Sequence, residues 1–104
     1  MLSITDLQEL CIDTSIAITK HAKNRLAERD ITIANVKNAV QSGEIIKQYE
    51  HDKPFPSCLL LGKTEQGRYV HVVASIGDET LYIITAYYPD ESEWENNFKT
   101  RKGH

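Results

Sequence analysis

At Gly43 the sequence changes its period: apolar residues before it recur at helical spacing, and short β-branched and aromatic runs after it alternate with turn residues. A helix repeats every 3.6 residues and a strand every 2, so the two textures demand helices first and a sheet second. The clearest helix runs from Ile33 to Ser42, capped by Thr32, with Ile33, Val36, Ala39 and Val40 on one stripe and Gly43 as its stop. Thr19 is the expected cap of a helix over Lys20 to Arg29, which Asp30-Ile31-Thr32 interrupts. Ile4, Leu7, Leu10 and Cys11 give residues 3 to 12 the spacing of a short amphipathic helix.

Four strands are expected after Gly43: Glu44 to Tyr49, Ser57 to Thr64, Arg68 to Ile76 and Thr80 to Tyr88. Pro54 and Pro56 hold the first connection extended, while Glu65-Gln66-Gly67 and Gly77-Asp78 make tight turns. Trp94 and Phe98, four residues apart, suggest a closing helical turn. The expected fold is α+β: N-terminal helices packed on a four-stranded antiparallel meander, with a short C-terminal helix.

With 104 residues and 40% hydrophobic content, one compact domain over 1–104 is expected. No run of about 18 apolar residues and no secretory leader pattern is present, so the expectation is a soluble cytoplasmic protein without membrane association. Cys11 and Cys58 lack paired-ligand spacing and read as reduced structural thiols. The net charge of −3 opposes broad nonspecific binding to nucleic acid, which usually needs a basic surface. The charge is segregated, however. Lys20 to Arg29 holds four fixed positive charges and one negative, and Asp90, Glu91, Glu93 and Glu95 gather acid near the C-terminus.

On the second helix, His21, Arg25 and Arg29 are spaced by four and form one drifting row beside Glu28, at the border of the apolar edge made by Ala22 and Leu26. Cleavage of RNA by its own 2'-hydroxyl requires a base, an acid and a cation for the phosphorane. Histidine serves the first two roles near neutrality, and arginine's planar fork serves the third. The same spacing also fits an ion-paired helix face, with Arg25 and Arg29 held by Glu28, Asp30 or the C-terminal acids and His21 capping or packing.

Period two in the third strand puts Val70, Val72, Ala74 and Ile76 on the core face and Tyr69, His71, Val73 and Ser75 on the other. His71 is then a second acid or base, a solvated residue or a hydrogen-bonding group of the sheet. In the last strand the same rule groups Leu81, Ile83, Thr85 and Tyr87 against Tyr82, Ile84, Ala86 and Tyr88. Tyr87 or Tyr88 can stack on a base, give a proton to a phosphate, or simply pack. His21, His51, His71 and His104 have no recognised ligand spacing, and there is no glycine-rich phosphate loop or nucleophile elbow, so neither metal nor cofactor is expected.

The series His21, Arg25, Arg29-Asp30-Ile31, then Gly43-Glu44-Ile45-Ile46, Lys53-Pro54-Phe55-Pro56-Ser57-Cys58-Leu59, Gly67-Arg68, His71-Val72-Val73 and Thr85-Ala86-Tyr87-Tyr88-Pro89-Asp90 resembles the bacterial family catalogued as domain of unknown function 4258. The resemblance spans about residues 16 to 101, leaving 1–15 as a helical extension. It implies a fold similar to the barnase, EndoU, colicin and RelE-like nucleases, and toxins encoded beside small zinc-ribbon antitoxins. Carried over by position, it implies roles for His21, Arg25, Arg29, His71, Thr85 and Tyr87. Glu50-His51 and Tyr69 depart from the family pattern, in a loop and at a strand entrance.

The resulting expectation is a metal-independent endoribonuclease toxin. His21, Arg25, Arg29, His71 and Tyr87 carry catalysis, and Lys20, Lys23, Lys53, Arg68, Thr85 and Tyr88 contact RNA. The rival is a noncatalytic module using the same surface to bind a protein or an anion.

Overall fold

The computed structural model describes residues 1–95 and 97–103. Three helices and five strands follow in the order α1 (Ile4–Leu10), β1 (Ile16–Ile18), α2 (Lys20–Glu28), α3 (Ile33–Ser42), β2 (Glu44–Tyr49), β3 (Ser57–Lys63), β4 (Tyr69–Gly77) and β5 (Thr80–Tyr87). Each helix begins where a hydroxyl accepts an orphan backbone N–H: Ser3 from Asp6, Thr19 from Ala22 and Thr32 from Asn35, at 3.0–3.1 Å.

The end of α2 sets the position of Arg29, its C-cap. Asp30 adopts φ 57°, the Ile31 N–H bonds the Leu26 carbonyl at 2.9 Å, and the Asp30 N–H bonds the Ala27 carbonyl at 3.2 Å. That is a Schellman closure with aspartate where glycine is usual, completed by buried Ile31 and Leu26. Gly43 ends α3 differently, with extended backbone. Glycine is required there because a Cβ would come within 2.5 Å of the Ala39 carbonyl oxygen and 2.8 Å of that of Leu61.

The architecture is α+β, but the four-stranded meander is corrected to a five-stranded mixed sheet of order β1-β5-β4-β3-β2. The addition is β1, which pairs in parallel with β5 through Ile16–Leu81, Ala17–Tyr82 and Ile18–Ile83. Three residues are too few to show a period, and their partner is more than sixty residues away. The expected C-terminal helix is also corrected. Among the described residues the last regular element is β5, and beyond it Trp94 forms a bridge with Arg101. Phe98, expected in that helix, has φ 56°, outside the helical region.

The helices cover one face of the sheet. Leu7, Cys11, Leu26, Val36, Ala39 and Val40 pack there against Cys58, Leu60, Val70, Val72, Ala74, Leu81, Ile83 and Ala86. Ile33, expected on the buried stripe, is exposed. Gly62 lets α3 settle on β3, since a Cβ there would overlap the backbone of Ala39. Both cysteines are free and buried, and burial pushes the Cys58 thiol up to about 11. Among the described residues no helix is long and apolar enough to cross a membrane.

Candidate functional site on the open sheet face

The face away from the helices presents three rows across the strands: Leu61, His71 and Tyr87; then Lys47, Leu59, Val73 and Thr85; then Tyr49, Ser57, Ser75 and Tyr82. A bulge in β5 places Thr85 and Tyr87 here. Val73 pairs with Thr85 but Ala74 with Ile83, so Ile84 is the extra residue and the side-chain alternation flips. The uninterrupted grouping of Leu81, Ile83, Thr85 and Tyr87 is thereby corrected: the first two face the helices and the last two face away.

Arg29 reaches the edge of β5 beyond the last residue of β1. Its Nη1 donates to Thr85 Oγ1 at 3.0 Å and to the Ala86 carbonyl at 2.9 Å. Among the described ion pairs none involves Arg29, whereas Arg25 lies 3.6 Å from the exposed Glu28 carboxylate. That exposed pair is weak.

Two residues along, His71 is fully buried between strands and C-terminal segment. Its Nε2 lies 2.8 Å from the Phe98 carbonyl oxygen, which can only accept, so the proton of the neutral ring sits on Nε2. Nδ1 is then the acceptor for the Tyr87 hydroxyl, at a long 3.4 Å. Trp94 closes over the imidazole edge-on, with centroids 4.5 Å apart. Burial lowers the His71 pKa, and the Phe98 carbonyl partly opposes it. Burial, then the neighbouring Tyr49, raises that of Tyr87, while Arg101 and Arg29 act the other way.

Tyr87 opens onto a cleft of about 410 Å³ lined by Ile46, Lys47, Tyr49, Leu59, Trp94, Lys99, Thr100 and Arg101. Lys47 lies over the Tyr49 ring and Arg101 over Trp94. Arg101 also pairs with Glu93 at 3.1 Å and Lys99 with Glu44 at 2.7 Å, all four partly exposed. Cations interleaved with aromatic faces suit a charged backbone bearing bases. Sequence reading missed Lys47, Tyr49, Trp94, Lys99 and Arg101. The alternation that puts Lys47 and Tyr49 on one face of β2 was the available signal.

The remaining expected residues scatter. His21 and Lys53 line a second cavity on the same sheet face, with Phe55 and Tyr82. α2 runs roughly 12 Å between His21 and Arg29, at 1.5 Å per residue. Lys23 borders a shallow depression beside α3, and Lys20 is exposed at the start of α2. Arg68 stacks on Tyr88 at 3.4 Å, where Tyr88 packs against the helix-side core, away from the cleft. Among the described residues no cluster of three or more His, Cys, Asp or Glu can hold a metal ion. His104 lies outside them.

Comparison with curated proteins finds no match, and comparison with solved structures finds none either. A family model, described as "Domain of unknown function (DUF4258)", matches residues 18–88, from the end of β1 to just past β5. Arg29, His71, Thr85 and Tyr87 all fall within that stretch, and the chain belongs to the DUF4258 family.

Proposed function

We propose that the open sheet face is a ribonuclease site, and that the protein is a metal-independent endoribonuclease, a toxin of a bacterial toxin–antitoxin pair in the cytoplasm. The observation that carries the reading is the meeting, on one strand face, of the Arg29 guanidinium fixed at Thr85 with the Tyr87 hydroxyl backed by a buried imidazole. The resemblance to RelE-like toxins supports it and supplies the partner, a small antitoxin with a zinc ribbon, which would silence the enzyme by covering the cleft.

In this reading Arg29 holds the scissile phosphate and exposed Arg25 its neighbour. Tyr87 takes the proton of the 2'-hydroxyl as its own passes to His71 Nδ1, and the Phe98 carbonyl steadies the resulting imidazolium through Nε2–H. The 2'-oxygen bonds to phosphorus, and the bond to the 5'-oxygen breaks. That oxygen takes its proton from water, since His21 lies in the second cavity, roughly 12 Å along α2 from Arg29. Burial makes His71 a weaker base, and the Phe98 carbonyl offsets part of that loss.

The test is incubation of the full chain with short single-stranded RNA in EDTA. Expected are 2',3'-cyclic phosphate and 5'-hydroxyl ends, with the rate lowered at least about 100-fold by Tyr87→Phe. No cleavage across a varied RNA panel, or cleavage indifferent to both Tyr87→Phe and Arg29→Ala, overturns the reading.

A further inference from the structure

The second cavity of the open face measures about 540 Å³, with Phe55, Tyr82 and Ile84 among its apolar lining and His21, Asp52, Lys53 and Ser75 among its polar members. That volume lies within the range of about 300–1,000 Å³ common for small-ligand pockets. We propose that it is a nucleobase subsite, taking the unpaired base that flanks the phosphate held at Arg29. The proposal rests on the ribonuclease reading of the neighbouring cleft.

The walls are flat, aromatic and already in place. Phe55 and Tyr82 stack with centroids 5.8 Å apart and planes within 19°. Gly77 leaves the space that the Phe55 ring fills, because a Cβ there would collide with the ring. Ile84, pushed out by the β5 bulge, is 42% exposed and forms the rim. An aromatic floor with an aliphatic rim suits a π-face, and bases of any identity have one.

The polar members set a cation beside the aromatic floor. Lys53 and His21 take part in none of the described ion pairs. The one carboxylate, Asp52, is kept ionised by donation from Ser57 Oγ at 2.6 Å and the Lys53 N–H at 3.0 Å, so the Lys53 ammonium offsets it and the cation for the attached phosphate is Arg29. A flat apolar group tied to a negative chain is the chemistry of a nucleotide. The spacing agrees. Ser75 in the cavity and His71 under the cleft are four residues apart on β4, roughly 13 Å at the rise of a strand, and Val73, paired with Thr85, lies midway.

The probe is a trinucleotide carrying 2-aminopurine on one side of a 2'-deoxy position that cannot be cleaved, titrated by fluorescence against the full chain. Stacking should quench the base, and an abasic version should bind roughly 5- to 150-fold more weakly. Ile84→Asp, at an exposed rim position, should weaken the 2-aminopurine probe to the abasic level, and Phe55→Leu should reduce both quenching and affinity. Equal binding of the two probes, or affinity unchanged in both variants, overturns the subsite. Cleavage of ordinary RNA is scored separately. Cleavage without quenching removes the subsite and leaves the nuclease, whereas quenching without cleavage leaves a base-binding cavity and removes the reaction.

Discussion

Arg29 donates through one Nη1 to both Thr85 Oγ1 and the Ala86 carbonyl, tying the end of α2 to β5 across more than fifty residues of chain. Hydrogen bonds from a charged donor typically contribute about 1.5–3 kcal/mol. Arg29→Ala should therefore lower stability in urea by roughly 1–3 kcal/mol, and Thr85→Val by less, since the Ala86 bond survives. If the guanidinium also meets a phosphate, Arg29→Ala should reduce the salt dependence of RNA binding by about one unit of slope, which fluorescence titration at several salt concentrations measures.

His71 gives the fold a pH dependence whose sign follows from its surroundings. Burial lowers its pKa below 6.5, so the unfolded chain binds a proton that the folded chain refuses. The stability it contributes is complete above 6.5 and is lost as pH falls toward the folded value. Urea melts taken just below pH 6.5 should show the wild type weakening with acid, and His71→Gln should lack that increment. An identical slope in both proteins would assign the effect to other groups. Asp52 and Asp90, held low by hydrogen bonds, act only in more acid solution.

Asp30 occupies the left-handed closure of α2 with φ 57°. Glycine takes that conformation without a Cβ penalty, and aspartate bears part of it. Asp30→Gly should raise the melting midpoint, corresponding to roughly 0.5–1 kcal/mol, while leaving Arg29 in place. Asp30→Val should lower it.

Local chemistry made most of the fold legible. Thr19 and Thr32 announce α2 and α3 because a hydroxyl before a helical run satisfies the first free N–H groups. The boundaries of α3 and β2 match their sequence reading. What escaped depends on distant pairing. β1 is only three residues long and takes its conformation from β5, and the β5 bulge is set by register with β4. The site divides in the same way. Arg29, His71, Thr85 and Tyr87 were nameable from spacing and resemblance. The C-terminal segment, by contrast, brings Trp94, Lys99 and Arg101 to the cleft through tertiary contacts that no local period encodes.

If RNA lies on the open sheet face, titration with a 2'-O-methyl oligonucleotide will move the amide resonances of that face. Shifts should concentrate at Lys47, Tyr49, Val73, Thr85 and Tyr87. Shifts confined to the helix-side surface around Lys23 and Ile33, or none at low salt, would contradict it.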